Sequence, residues 1–237
     1  MIRTDRAAVP EETRHFVRYG FYSVENEFRR LSKAKRASAL KEFLKALKTW
    51  GGKIQLHAYS TAGMRPDTDF MLWSISPNID DLHDFALDIR TTALGPYLRT
   101  PHAYLAMTRK SMYVDKHRHP GQEGTRLQIE PTESKFLFVY PFTKTHAWYQ
   151  LPMEERQKMM TEHIESGHKF PTVKINTTYS YGLDDQEFVV AFESDHPGDF
   201  VDLVMALRTG KARPYTERDT PIFTCVKKSF EDICREL

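Results

Sequence analysis

Residues 67–76 read DTDFMLWSIS, and residues 184–194 read DDQEFVVAFES. Each stretch opens on acidic turn residues and runs into a short apolar segment, which predicts a buried β-strand. The chain that follows also corresponds, since DFALDIRTTALGPYL at 84–98 matches DFVDLVMALRTGKARPY at 199–215. This correspondence, at an offset of about 115 to 120 residues, indicates that one supersecondary unit occurs twice.

Both halves show the same predicted order of elements, strand, helix, strand, strand, helix, strand. In the first half, RASALKEFLKALKTW at 36–50 has the periodicity of an amphipathic helix, and Gly51 and Gly52 supply its stop signal. The other predicted elements of this half are strands at 16–24, 54–63, 69–76 and 102–114 and a helix at 79–98. In the second half we predict strands at 135–142, 173–182, 187–194 and 221–229 and helices at 153–170 and 199–210.

A βαββαβ unit forms a four-stranded antiparallel sheet with both helices on one face, so its other face needs cover. Stacking the two sheets, or curling them into a barrel with the helices outside, buries both apolar faces. We therefore predict an α+β protein made of tandem ferredoxin-like units. The predicted domains are an N-terminal half at 1–114, a polar linker loop at 115–134 and a C-terminal half at 135–237.

Composition narrows the possible partners. The 237 residues include 34 Lys and Arg and 32 Asp and Glu, so no net field of one sign favours nucleic acid or an anionic membrane. The basic run RRLSKAKR at 29–36 is typical of a solvated helix face. No apolar segment approaches the length of a membrane span or a signal peptide, which predicts a cytoplasmic protein. Cys225 and Cys234 lack the spacing of a thiolate metal site.

The sequence has no phosphate-binding loop, zinc-protease motif or nucleophile elbow, so no common short motif identifies its chemistry. His117 and His119 fit a metal site or, more simply, a solvated loop. His163 follows two methionines on the predicted helix, which fits a buried core histidine, a cation at the helix C-terminus or a metal ligand. On spacing alone, Tyr140 and Lys144 fit ordinary surface residues.

Taken together, these residues resemble the chlorite dismutase-like haem proteins, and among them the coproheme decarboxylases. The resemblance rests on Tyr140-Pro141, Lys144, Trp148-Tyr149, the run LPMEER at 151–156, and His163. It is strongest from Arg126 onward, and the duplicated βαββαβ plan is also that of the family. The haem site is therefore expected in the C-terminal half, with none in the N-terminal half.

The resemblance implies a role for each matching residue. His163 would bind the haem iron through a neutral imidazole, Tyr140 would be the redox-active phenol, and Lys144 would assist it at the porphyrin carboxylates. Arg126 would hold a propionate. Trp148 and Ile175 complete the predicted cofactor-binding set.

Two positions depart from the family pattern. Chlorite dismutases carry an arginine, and many decarboxylases a glutamine, where this sequence has Ile175, which offers no hydrogen bond to a bound oxyanion. A glutamate that supports the histidine ligand in chlorite dismutases aligns with Ala212, which leaves His163 a less anionic ligand. Both departures weaken the expectation of chlorite or peroxidase chemistry, and the second also weighs on efficient decarboxylation.

The implied function is therefore a haem-dependent oxidoreductase, with iron porphyrin, coproheme or haem b, as its cofactor. Its partners would be coproheme and hydrogen peroxide, and the reaction would convert coproheme propionates to the vinyl groups of haem b. The alternatives are a chlorite dismutase or weak haem peroxidase and a non-catalytic haem-binding or transfer protein. The family also implies a homo-oligomer, usually a ring of five.

Overall fold

A computed structural model describes residues 13–113 and 127–237 of the chain. Its strands are β1 (Phe16–Val24), β2 (Gln55–Ser60), β3 (Phe70–Ser76), β4 (Leu98–Met107), β5 (Phe136–Lys144), β6 (Lys174–Tyr179), β7 (Phe188–Ser194), β8 (Thr216–Arg218) and β9 (Phe223–Lys228). Its helices are α1 (Asn26–Arg29), α2 (Lys33–Gly51), α3 (Ile79–Thr91), α4 (His146–Gln150), α5 (Met153–Gly167), α6 (Pro197–Arg208) and α7 (Phe230–Glu236). Across these described ranges, no helix combines the length and apolar character of a bilayer crossing.

Local sequence signals explain where the longer helices begin and end. The hydroxyl of Ser32 accepts a hydrogen bond from the backbone N–H of Lys35 at 3.4 Å and caps α2, while Gly52 follows its last turn. The side chain of Asn78 caps α3 in the same way, by accepting from the N–H of Asp80 at 3.2 Å. Both helices therefore form, and α3 begins at the predicted residue but ends at Thr91, seven residues before the predicted end at 98.

The described chain divides into two compact units, one of residues 13–107 with 225–237 and one of residues 108–113 with 127–224. In the first unit the antiparallel strand order is β4-β1-β3-β2-β9. The helices α2 and α3 cover one face of this sheet, where Tyr22, Phe70 and Leu72 are almost fully buried. On the opposite face Tyr19 and Trp73 are also buried, which explains the continuous apolar run in β3.

The final helix, α7, belongs to the first unit. Ile233 is buried in the core formed by α2 and α3, and Phe230 and Leu237 pack against it. Lys48 on α2 also forms an ion pair with Glu231 at 2.5 Å. The duplicated pattern gave no reason to expect this helix, because it follows the last repeated strand, and its apolar residues are complementary to a core distant in sequence.

In the second unit the antiparallel strand order is β6-β7-β5-β8. Phe138, Phe192 and Phe200 form the centre of its core, with Phe138 and Phe200 stacked at 4.1 Å between ring centroids. Because Phe200 lies on α6, these contacts hold α6 against one face of the sheet. The matching elements of the two units thus have the same order and the same antiparallel pairing.

Candidate functional site

The face of the second sheet that bears α6 is only partly covered by protein. Cross-strand pairing places Ile175, Phe192 and Phe138 in one row and Thr177, Val190 and Tyr140 in the next. The exposure rises across these rows from buried Phe192 to Ile175, which is 45 % exposed. The opposite face of the same strands is buried, so the exposure concentrates on one side.

Helix α5 carries the predicted histidine ligand but has no buried residue. Its counterpart in the first unit, α2, buries Ala39, Phe43, Leu47 and Trp50 against its sheet. This 15-residue helix comes close to the sheet in its last turn, where Gly167 lies near Ile175, but it leaves the sheet residues opposite it partly exposed. The second unit therefore has a cleft with an apolar wall where the first unit has a filled core.

His163 lies on α5 about one turn before its C-terminal end, and its side chain is half-buried. Burial lowers the pKa of His163 to about 4, and the charge of Lys144 acts in the same direction. The ring is therefore neutral at physiological pH and offers a nitrogen lone pair. A neutral imidazole is the form in which histidine binds haem iron.

Tyr140 lies on β5, on the incompletely covered face of the sheet. Its ring stacks on Phe192 at 5.8 Å between centroids, with 16° between the ring planes. Burial raises the pKa of the Tyr140 phenol well above its ordinary value, and the carboxylate of Asp219 adds to this effect. The phenol thus keeps its proton, and any oxidation of it requires that proton to leave.

Lys144 ends β5 and is buried beside aromatic rings. Its Nζ lies 4.3 Å from the ring centre of Trp148 and 3.4 Å from the carbonyl oxygen of Ala212, to which it donates a hydrogen bond. Burial lowers the pKa of Lys144 to about 8, with Arg213 acting in the same direction and Glu187 against it. Lys144 is therefore mainly protonated at neutral pH and can hold a carboxylate.

Trp148 is buried, and two tyrosines flank it. Tyr215 lies 5.6 Å away between ring centroids and Tyr113 lies 6.4 Å away. This packing determines the position of the indole on which the Lys144 ammonium rests. Trp148 therefore supports the lysine from the side of α4.

Two arginines near Tyr140 were not identified from the sequence. The Nη1 atoms of Arg208 and Arg213 donate to Asp219 Oδ2 at 2.5 Å and 2.6 Å, and both cations influence the titration of Tyr140. Although burial opposes it, these hydrogen bonds lower the pKa of Asp219. Two cations share one carboxylate, so the cluster has a net positive charge and can accept a further anion.

The internal duplication contained a signal for one of these arginines. Arg213 occupies the position that Gly95 has in the first half, before the repeated Pro-Tyr pair. At Gly95 a side chain would place its Cβ 2.0 Å from the carbonyl oxygen of Arg90, so only glycine fits. A long cation at the matching position of the second half is thus a difference between the repeats that points to function.

Ile175 projects from β6 on the exposed side of the cleft, opposite α5. Its Cδ1 lies 3.9 Å from the point that a Cβ on Gly167, in the last turn of α5, would occupy. Lys174, the adjacent residue, instead donates a hydrogen bond to the carbonyl oxygen of Glu130. The alternation along the strand therefore presents an apolar side chain, and not the lysine, to the cleft.

Three predicted residues lie outside the described part of the chain. They are Arg126, which the resemblance assigns to a propionate, and His117 and His119, the histidines considered for a metal. Tyr140, Lys144, Trp148, His163 and Ile175 all belong to the second unit. The assignment of all six predicted cofactor-binding residues remains a proposal.

A cleft of about 390 Å³ in the first unit is a weaker candidate. Its charged residues are already paired, since Arg65 binds both oxygens of Asp67 at 3.0 Å and Arg29 lies 3.4 Å from Asp69. The opposite charges of these pairs cancel. This cleft therefore has neither a net charge nor a neutral histidine with which to bind an iron porphyrin.

Comparisons with known proteins identify the family of this chain. Residues 36–228 match the model of the chlorite dismutase family, so the chain belongs to that family. The coproheme decarboxylase of Mycolicibacterium smegmatis is 34% identical over 187 residues, which are 78% of each chain. The family and this relative indicate a haem-dependent oxidoreductase, as the sequence predicted.

Solved structures support the fold. A variant of chlorite dismutase from Candidatus Nitrospira defluvii superposes with a TM-score of 0.85 at 25% identity, covering 94% of both chains. The same organism's enzyme in complex with imidazole gives a TM-score of 0.84 at 25% identity and the same coverage. The predicted α+β fold of ferredoxin-like units is therefore confirmed.

Proposed function

We propose that this protein converts coproheme to haem b by oxidative decarboxylation with hydrogen peroxide. The observation that carries the proposal is the partly covered cleft of the second unit, with neutral His163 on α5 and Tyr140, Lys144, Arg208 and Arg213 along one edge. Its apolar wall suits the face of a macrocycle. Its cationic edge suits a substrate with several carboxylates, as coproheme has.

The residues present fit an iron porphyrin, and each would contribute separately. His163 would hold the iron, and the arginines and Lys144 would hold propionates. The bound iron porphyrin would react with peroxide and supply the oxidising equivalents. The protein would orient a propionate next to the Tyr140 phenol, in a position that its stacking on Phe192 determines.

The reaction at each propionate balances with one peroxide. The Tyr140 phenoxyl radical would remove a hydrogen atom from the propionate side chain. One further electron would pass to the second oxidising equivalent that the peroxide supplies, which would release carbon dioxide and leave a vinyl group. One propionate, one hydrogen peroxide and one proton thus give one vinyl group, one carbon dioxide and two waters. Lys144, which would hold the carboxylate, would return the proton.

The direct test is to add peroxide in steps to the protein loaded with ferric coproheme and to follow the porphyrin by mass spectrometry. We expect two successive losses of carbon dioxide together with two hydrogens, ending at haem b. A porphyrin whose mass does not change while its Soret band responds to peroxide would contradict the proposal and favour a peroxidase. No response at all would favour a haem-binding or transfer protein.

Chlorite conversion is the alternative that the structural relatives raise, and Ile175 argues against it. An apolar side chain in the cleft cannot stabilise a chlorine oxyanion as a guanidinium would. Dioxygen evolved from chlorite, measured with an oxygen electrode on the same preparation, decides this point. Rapid evolution would overturn our preference for decarboxylation.

The pKa of Lys144 predicts how kcat/KM for coproheme falls at alkaline pH, the alkaline limb of the pH profile. Because the pKa of Lys144 in the free protein is about 8, the ammonium is present below this pH and lost above it. We expect kcat/KM for coproheme to fall about tenfold per pH unit above pH 8. In Lys144→Arg the side chain stays charged, so the limb should move beyond pH 10. An unchanged limb in this variant would assign the titration to another group.

The expected cytoplasmic location and pentameric ring are part of the same proposal. So is the division at 115–134 between a half without cofactor and a half with haem. Analytical ultracentrifugation of the purified protein tests the oligomer number.

A further inference from the structure

A pair of phenols other than Tyr140 lies beside the candidate porphyrin site and has no part in the reaction proposed above. Tyr149, on α4, has its hydroxyl oxygen 2.6 Å from Glu187 Oε2 and 2.6 Å from the hydroxyl oxygen of Tyr181. The two phenol rings are nearly perpendicular, with centroids 6.4 Å apart. This arrangement is a chain of two tyrosines that ends on a carboxylate.

The protons of this chain can be assigned from elementary chemistry. Each phenol has a single proton, and a carboxylate is a stronger acceptor than a phenol oxygen. Tyr149 therefore donates to Glu187 and accepts from Tyr181. Glu187 also accepts the backbone N–H of Lys144 at 2.8 Å, which holds the carboxylate in this orientation.

The chain connects the candidate site with the solvent. Trp148, the neighbour of Tyr149 in α4, is buried beneath the Lys144 ammonium, whereas Tyr181 is 49 % exposed. Tyr149 is half-buried, and its partner Glu187 accepts the backbone N–H of Lys144. The hydrogen-bonded pair thus extends from the backbone of Lys144, at the candidate site, to an exposed phenol.

We propose that Tyr149 and Tyr181, with Glu187 as proton acceptor, form an exit route that carries unused oxidising equivalents from the porphyrin site to the protein surface. This inference rests on the proposed function, because its oxidant is an iron porphyrin that has reacted with peroxide. An oxidising equivalent that is not consumed by a propionate would otherwise oxidise side chains of the porphyrin site. Tyr140 serves productive oxidation, and the Tyr149 pair removes the excess.

The steps balance in electrons and protons. Tyr149 would give one electron to the oxidant that the porphyrin site supplies and its proton to Glu187, and would become a neutral radical. Tyr181 then gives an electron and its proton to the Tyr149 oxygen, which restores that phenol and leaves the radical on Tyr181. A thiol or ascorbate in solution donates a hydrogen atom to Tyr181, and Glu187 releases its proton to water.

The environment of both phenols explains why the carboxylate is needed. Burial raises the pKa of Tyr149 well above its ordinary value, and burial raises that of Tyr181 to about 12. Both groups are therefore protonated at neutral pH. Removing an electron alone from half-buried Tyr149 would leave a charged radical with little solvation, so a proton acceptor within hydrogen-bonding distance favours the oxidation of Tyr149.

The test uses the haem-loaded full chain, peroxide in excess over propionate, and a nitrone spin trap whose adducts are located by peptide mass spectrometry. In the wild-type protein we expect the adduct on Tyr181. Tyr149→Phe and Glu187→Gln should each lower the yield at Tyr181 at least about tenfold, while the Soret response to peroxide is unchanged. Tyr215→Phe is the matched control, because the Tyr215 ring lies beside the same candidate site, 5.6 Å from that of Trp148, and this variant should leave the adduct unaffected.

An undiminished adduct on Tyr181 in Tyr149→Phe, or trapping mainly at Tyr215, would overturn the route. If peroxide leaves the Soret band of the wild-type protein unchanged, the proposed function fails instead. The pair is then tested in the haem-free protein by photo-oxidation with a ruthenium(III) complex and rapid-freeze EPR. A tyrosyl signal that Glu187→Gln does not diminish would refute the role of the carboxylate.

Discussion

Replacing Tyr140 with phenylalanine is expected to lower the rate of decarboxylation at least about 1000-fold while coproheme affinity changes less than about threefold. The hydroxyl is the only group removed, and it is the group that would become the radical. The ring remains stacked on Phe192 at 5.8 Å, so the strand and the wall of the cleft should keep their shape. Mass spectrometry of the porphyrin gives the rate, and Soret titration gives the affinity.

The matched control is Tyr179→Phe, which removes a hydroxyl from the same face of the sheet, in the row that Tyr179 shares with Phe188 and Phe142. We expect this variant to stay within about threefold of the wild-type rate. If Tyr140→Phe still forms haem b at an undiminished rate, the radical is on another residue, and the mechanism proposed here is wrong. A loss of coproheme affinity in Tyr140→Phe would instead assign the phenol to binding.

Replacing His163 with glycine is expected to weaken iron porphyrin binding at least about 100-fold and to remove the Soret features of a histidine-bound iron. The physical reason is that the neutral ring is the only group on α5 that we assign to the iron. Free imidazole should restore the spectrum, because the variant leaves a space of the same shape beside the helix. Rescue of this kind distinguishes a ligand from a residue that only supports the fold.

His168→Ala tests the specificity of the effect. His168 follows α5 directly, and its N–H donates to the carbonyl oxygen of Ile164, a contact that the alanine variant keeps. Porphyrin binding should be unchanged in this variant. An unaltered Soret band in His163→Gly, without imidazole, would show that the iron has another ligand.

Several elements could be predicted from local sequence because local interactions determine them. β1 has the predicted bounds, and α2 ends at the predicted pair of glycines. The strand predicted at 102–114 ends instead at Met107. Periodicity does not show where pairing with β1 stops, because the last paired residue depends on the partner strand.

The residues of the candidate site also fall into those that local sequence could predict and those that only the fold brings together. Tyr140, Lys144, Trp148 and His163 lie within one short run, so a family pattern was enough to propose them. Arg208 and Arg213 are distant from that run, and only the folding of α6 and the following loop brings their charges near Tyr140. The phenol pair had no sequence signal either, since helix α5 and strand β6 separate Tyr149 from Tyr181 along the chain.

The sequence by itself determined the doubled βαββαβ plan and the family, because both are expressed in periodicity and short spacings. Only the tertiary structure decided that the two repeats differ in how their sheets are covered. In the first unit α2 fills its face, and in the second α5 leaves Ile175 and its neighbours partly exposed. Coverage depends on how side chains from distant segments fit together, and a contact of this kind leaves no periodic signal in either segment.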